Sequence, residues 1–387
     1  MSIVSKTRKS WFFALLGYWM VLLAGLSGPA VYAAENIIWV TADGIRWQEV
    51  FRGLDSRLLE DDRFTKDKQA IKDAYWQESA IENRELLMPF LWKTIARQGA
   101  LIGDVDHNSA MQVSNGWRFS YPGYNEILTG KADPRIDSND KTPNTNVTVP
   151  EWLNQQTGFK GKVAAFGSWD VFPYILNVER SGLDVNAGFM PFQFFDNASV
   201  RLMNTLQAQT HSPWRSVRLD VYTHNFALEY LRERKPRMLY IAYGESDDFA
   251  HEGRYDHYIE ATHRFDTFVQ ELWETVQSMP EYKGKTNLVI LTDHGRGELP
   301  LDMWQHHASQ KAVVKLMQDA EGFENGVVGS EHIWMAAMGP DIKAVGLLQS
   351  DQVVYQNQAA ATVLQLLGLD YRTFEKEMGK PLTQLLK

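Results

Sequence analysis

Five short stretches of the chain are almost wholly apolar: Asn36–Ala42 (NIIWVTA), Lys162–Phe166 (KVAAF), Met238–Tyr243 (MLYIAY), Asn287–Thr292 (NLVILT) and Ile333–Met338 (IWMAAM). Runs this short, without polar alternation, predict strands covered on both faces. Between them, Leu86–Gln98, Val217–Arg234, His257–Met279 and Gln358–Leu367 space their apolar residues three and four apart, the period of a helix with one buried side. Strand and helix in alternation predict an α/β fold, with a mainly parallel central sheet and helices on both faces. Three stretches break the pattern. Residues 53–85 are charge-rich and weakly periodic, and read as a surface insertion. Residues 172–213 are aromatic and irregular, and read as a loop that could cover a site. Residues 297–330 are a third excursion. None has a linker's composition, so residues 34–387 read as a single domain with insertions.

The first 33 residues follow a different rule. Lys6, Arg8 and Lys9 precede a stretch without charge from Ser10 to Ala34; Gly28-Pro29 then breaks it, and Val31-Tyr32-Ala33 offers small residues at the cleavage-type positions. That layout predicts a signal peptide over residues 1–33 and a periplasmic or secreted protein, with no membrane anchor after cleavage. An uncleaved anchor is the alternative, since the uncharged stretch is long enough to span a bilayer.

Composition narrows the chemistry. Of 387 residues none is cysteine, which excludes disulfides, thiolate metal sites and a cysteine nucleophile. The net charge of −9 argues against binding of a nucleic-acid duplex, which needs a basic face. Any metal must be held by His, Asp and Glu.

Ligands of open α/β sheets bind beyond the carboxyl ends of the strands, and those ends carry a pattern. The first strand runs into Asp43-Gly44, the third into Gly244-Glu245-Ser246-Asp247 and on to His251, and the fourth into Asp293-His294-Gly295. His332 stands just before the last apolar run. Asp247 and His251 are four apart, so one helical turn aims both at one point. Taken singly, a strand-end Asp is a turn or cap residue and a lone His a hydrogen-bonded one. Together, three Asp and three His at one edge suit two divalent ions with open positions, zinc by the imidazole share, manganese as the alternative. Ser120-Tyr121-Pro122 opens an expected helix through Gly130, with Ser120 at its N-cap and Pro122 in the first turn. Near two metals that hydroxyl becomes a candidate nucleophile. Arg46, Trp47, Trp117, Tyr121, Tyr124 and Trp169 are candidates to lie near the metals, though most read better as core or surface aromatics. His306 and His307 read as loop residues.

Taken together, these segments resemble the alkaline phosphatase superfamily, and within it the nucleotide pyrophosphatase/phosphodiesterase-like branch. Asp43-Gly44-Ile45-Arg46 is similar to its first metal motif, Ser120-Tyr121-Pro122 with Leu128-Thr129-Gly130 to its nucleophile segment, Glu245-Ser246-Asp247 with His251 to a Glu-Pro-Asp…His motif, and Thr292-Asp293-His294-Gly295 to the S/T-D-H-G motif. The resemblance implies an alkaline phosphatase-like fold and cleavage of a small anionic phosphate ester, monoester or diester, through a phosphoseryl intermediate on Ser120. It implies one metal held by Asp43, Asp293 and His294 next to Ser120, and another by Asp247, His251 and His332. Two departures stand out: Gly123 takes the place of an expected Asn, and Tyr124 stands where a sulfatase signature needs Arg. A sulfatase, an envelope phosphoryl-group transferase and a non-catalytic binder are the alternatives.

Overall fold

A computed structural model describes residues 34–316 and 322–387; the expected signal segment lies outside them. Eleven strands are described: β1 (Asn36–Ala42), β2 (Gly99–Ile102), β3 (Met111–Gln112), β4 (Val163–Gly167), β5 (Asp184–Ala187), β6 (Met238–Tyr243), β7 (Thr286–Thr292), β8 (His332–Ile333), β9 (Met335–Met338), β10 (Gly346–Leu347) and β11 (Val354–Tyr355). Eight form the central sheet in the order β10-β2-β9-β7-β1-β6-β4-β5, and β11-β3-β8 form a small second one. In the central sheet only β9 runs antiparallel to its neighbours.

The central strands are apolar at every position because each face meets a separate core. In β1, Ile38 and Val40 point into one cluster and Ile37 and Trp39 into the other, the two-residue period of a pleated strand. One face packs on the helices Asp220–Arg234 and Tyr255–Ser278, through residues such as Phe226, Leu231, Phe265 and Leu272. The other packs on the helices Ser120–Thr129, Val149–Gln155 and Gln358–Leu366, through Ile127, Leu128, Leu153 and Val363. Helices therefore cover both faces, as the sequence pattern requires. No described helix is long and apolar enough to cross a membrane.

Four expectations change. The run Ile333–Met338 is two strands, parted at Trp334, whose indole N–H donates to the Ile45 carbonyl at 2.9 Å. Hydropathy reports burial and says nothing of strand direction, so β9's antiparallel course was not legible. Residues 172–213 are no loop. They hold the helices Phe172–Ile175, Val178–Ser181 and Ala198–Gln209 and the edge strand β5. Residues 53–85 carry short helices whose Leu58, Leu59 and Ile71, with Phe64 from the turn between them, are buried in the core. The helix expected over Leu86–Gln98 breaks after Leu87 near Pro89 and resumes as a π-turn, Leu91–Ile95. The backbone N–H groups of Phe90 and Leu91 donate to the Asp266 carboxylate at 2.7 and 2.8 Å.

Buried titratable groups give the fold a pH signature. His224 is inaccessible to solvent and stacks on Phe268 with ring centroids 4.3 Å apart. Burial pulls its pKa down to about 4 against the pull of Glu271. The unfolded chain takes up this proton as pH falls through 6.5, while the folded chain stays neutral until about pH 4. His224 therefore costs stability as pH drops through that window, up to about 3 kcal/mol. Asp266, pushed up to about 7 by burial, works in the opposite direction, so the readable quantity is a difference. A His224→Gln variant should lose the His224 slope, so that between pH 7 and pH 4.5 its stability in urea melts falls less, or rises more, than that of the native chain. Equal differences in both proteins would contradict the assignment.

Candidate metal centre

Parallel register brings the acidic strand ends level. Ala42 pairs with Tyr243 of β6 and with Thr292 of β7, so Asp43, Gly244 and Asp293 leave the sheet side by side. Gly44 then turns the chain with φ near 59°, a left-handed conformation that favours glycine. A Cβ there would also come within 2.9 Å of Asp247 Oδ1 and 3.2 Å of His294 Cε1. The Gly44 N–H donates to Asp293 Oδ1 at 3.1 Å.

A first group forms around His294, which is fully buried. Its Nε2 lies 3.2 Å from Asp43 Oδ1, 3.4 Å from Asp293 Oδ2 and 3.3 Å from Ser120 Oγ. Tyr124 donates its hydroxyl to Asp43 Oδ2 at 3.0 Å. Asp43 Oδ1 and Asp293 Oδ2 are buried without a hydrogen-bond partner, which is costly for carboxylate oxygens unless a cation satisfies them. Burial, then the charge of Asp247, raises the Asp43 pKa; burial, then Asp43, raises that of Asp293. Burial acts to lower the His294 pKa, but Asp293 and Asp43 outweigh it and hold the ring at about 9. The pocket calls for positive charge, and its all-oxygen and imidazole donors fit a divalent cation.

A second group sits beside it. The short helix Glu245–His251 follows β6 and sets His251 Nε2 3.2 Å from Asp247 Oδ2. The other imidazole here is His307, whose Nε2 is 3.1 Å from His251 Nε2 and 3.7 Å from Asp247 Oδ1. Asp247, His294 and His307 could share one ion, as could Asp43, Asp293 and His294. The rings of His294 and His307 stack, with centroids 3.6 Å apart. Burial opposes ionisation of Asp247, yet His251 and Arg296 keep it well below the usual carboxylate range. Arg296 donates to Asp247 Oδ1 and to the Asp247 carbonyl.

The structure therefore brings together Asp43, Ser120, Asp247, His251, Asp293 and His294, but not His332. His332 begins β8 opposite Gln112; its Nε2 is 4.0 Å from Glu331, and its Nδ1 is buried without a partner. His307 is a loop residue, as expected, but its ring stands with the group. Its Nδ1 hydrogen-bonds the Arg118 carbonyl at 2.8 Å. A carbonyl only accepts, so Nδ1 carries the proton and Nε2 presents its lone pair to the group. The Gly295 carbonyl, 3.0 Å away, likewise holds a proton on His294 Nδ1, so the proton that a bound cation would displace is the one on Nε2. Such a bond to the far ring nitrogen orients metal-binding histidines. His332 has none. Arg296 was also missed, although it follows two residues after His294.

Ser120 is not the N-cap. Phe119 holds that position in extended backbone, and Ser120 is the first helical residue, 4% exposed. Its hydroxyl makes no capping bond and is left to His294. Gly123 explains the missing Asn: the first turn presses on β7's end, and a Cβ at Gly123 would lie 2.4 Å from the Asp293 carbonyl oxygen. Gly123→Ala should displace Ser120 or Asp293, lowering stability by about 2 kcal/mol and cutting activity at least tenfold; native melting and turnover would rule the contact unimportant. Among the aromatics and Arg46, only Tyr124 bonds a carboxylate of the group. Arg46 is buried against Glu49, Trp47 donates to Glu298, Trp117 lies beneath Lys311, Tyr121 donates to the Thr142 carbonyl, and Trp169 rests 6.5 Å from Tyr124.

Residues 51–381 match the model of the family described as type I phosphodiesterase / nucleotide pyrophosphatase. No curated protein sequence matches the chain. Among solved structures, the alkaline phosphatase PafA is similar with a TM-score of 0.58 at 11% identity, over 92% of this chain and 99% of that one. An alkaline phosphatase superfamily protein from Vibrio parahaemolyticus gives 0.52 at 14% identity, over 93% of this chain and 72% of that one. The lipoteichoic acid synthase LtaP from Listeria monocytogenes gives 0.51 at 12% identity, over 89% and 75%. At these identities the likeness is one of fold.

Proposed function

Because the chain belongs to the type I phosphodiesterase / nucleotide pyrophosphatase family, we propose that it is a metal-dependent hydrolase of phosphate monoesters or diesters with Ser120 as nucleophile. The observation that carries this reading is Ser120 Oγ at 3.3 Å from His294 Nε2, beside two buried carboxylate oxygens that lack partners. Asp43, Asp293, His294 and Ser120 would hold one divalent ion; Asp247, His251 and His307 would hold the other, His307 in place of His332. Three imidazoles favour zinc, with manganese as the alternative. Such ions supply charge neutralisation for the phosphoryl oxygens and lower the pKa of the hydroxyl beside them.

The chain's own residues do the rest. The first turn of helix Ser120–Thr129 aims Oγ at the group and adds the positive end of its dipole. Ser120 Oγ bonds to phosphorus as the ester oxygen departs on the opposite side, toward Asp247, His251 and His307, and the departing alcohol gains a proton. Water then attacks the phosphoseryl phosphorus in line, releasing phosphate from a monoester or a phosphate monoester from a diester, and returning Ser120 to its hydroxyl form. Tyr124 holds Asp43 through its phenol proton, which burial keeps in place. Tyr124 thereby occupies the place where a sulfatase would need Arg, which speaks against that alternative. The charged, apolar and small-residue order of residues 1–33 supports an exported enzyme.

The test is hydrolysis of nitrophenyl phosphate and bis-nitrophenyl phosphate before and after chelation. Chelator should abolish turnover and lower the melting temperature by ~5 °C or more, because ions that bind only the folded chain stabilise it. Zinc or manganese should restore both. Turnover indifferent to chelator would overturn the proposal, as would inert protein with every metal.

A further inference from the structure

The second group opens into a pocket of about 290 Å³, of which His251 and His307 form part of the wall. Its other walls are apolar: Phe119, Ala308, Phe323 and Val327. Two polar residues, His306 and Asn139, also touch it. The Asn139 side-chain oxygen is already engaged by the Tyr121 N–H at 3.0 Å. Among the described residues, no Lys, Arg, Asp or Glu lines it. A larger cavity of about 530 Å³, bordered by Lys141, Asp170 and Phe189, has none of the candidate site residues on its walls.

The position of the smaller pocket decides its role. In-line displacement puts the leaving oxygen opposite the nucleophile. Ser120 stands with Asp43, Asp293 and His294, so the leaving group departs past Asp247, His251 and His307. That path leads into the pocket. A leaving group bearing further phosphates would meet no fixed cation on these walls, and a polyol would meet few hydrogen-bond partners for its hydroxyls. An aromatic or alkyl group would exchange water for Phe119, Phe323 and Val327. Phe119 meets the His307 ring edge to face at 6.2 Å, and Phe323 meets His306 in the same way at 5.3 Å. The apolar wall is thus continuous with the imidazoles.

We infer that this pocket is a leaving-group subsite selective for uncharged aryl-alkyl alcohols, with Phe119, Phe323 and Val327 setting the preference. The inference rests on the hydrolase reading above. Propyl phosphate and 3-phenylpropyl phosphate test it, because their alcohols have closely similar acidity and differ in apolar reach. The 3-phenylpropyl ester should be favoured roughly tenfold or more in kcat/KM. The non-hydrolysable 3-phenylpropylphosphonate should bind tighter than propylphosphonate by a similar factor in calorimetry on the metal-loaded protein. Phe323→Ser, at a half-buried position, and Ala308→Phe, which fills the space, should each bring both ratios toward one. Melting curves check that the variants fold, and the native protein's own ratios stand as a test without them. Hydrolysis of both esters with equal kcat/KM and equal phosphonate affinities would overturn the subsite and leave the hydrolase reading standing. A persistent phosphonate preference without turnover of any ester would support the subsite and sink the hydrolase reading.

Discussion

Ser120→Ala should lower kcat by at least about 10⁴-fold while metal content and melting temperature stay near native. The expectation of a large loss rests on position. Ser120 Oγ faces His294 from inside a buried group, and no other described hydroxyl is within hydrogen-bond reach of that nitrogen. The expectation of intact folding rests on what Ser120 does not do. Phe119 is the N-cap, so Ser120 makes no capping bond whose loss would fray the helix, and alanine is the best helix former to put in its place. Because Asp43, Asp293 and His294 remain, the adjacent ion should lose at most one ligand. Steady-state kinetics with elemental analysis of the purified variant checks all three statements. Turnover close to native would mean that water attacks phosphorus directly and that no phosphoseryl enzyme forms.

The second large effect separates two histidines that the sequence alone ranked the wrong way round for this geometry. His307→Ala should lose about one metal equivalent per chain and about 10³-fold in activity, because it removes an imidazole from the Asp247 and His251 group. His332→Ala should retain both ions and most activity, since its ring lies against Glu331 outside either group. Mass spectrometry of native protein and chelator titrations read the stoichiometry directly. The reverse pattern, metal lost with His332 and kept with His307, would show that binding rearranges this edge of the sheet and would remove the basis of the two-group assignment. His307→Gln offers a control for packing, since the Arg118 carbonyl can still receive a donor there.

The comparison of these two residues shows where sequence reading succeeds. Asp43, Asp293 and His294 were legible because each follows an apolar run that can only be a buried strand, and parallel strands end in register. Asp247 and His251 were legible because a four-residue step on a helix is a fixed geometry. His332 satisfied the same kind of reasoning, standing next to an apolar run. That run, however, splits at Trp334 into two strands, and its first half joins β3 in the small sheet. Burial is written in hydropathy; strand partner and direction are not.

Much of the architecture thus follows from the amino-acid order alone: an α/β sheet covered on both faces, the edge where the candidate group lies, and Ser120 with five of the ligand candidates beside it. These are consequences of local periodicity and of strand ends, which each segment carries within itself. Tertiary packing decided the rest. His307 lies in a stretch without periodicity and reaches the group because Trp304 is fixed in the core against Phe64 and Tyr255, while the Ser309 N–H donates to the Trp117 carbonyl. Those contacts join residues far apart in the chain, and the glycine at position 123 is required only because helix Ser120–Thr129 is pressed onto Asp293. No window of sequence holds both partners of such a contact, so only the folded chain could reveal which imidazole stands beside Asp247 and His251.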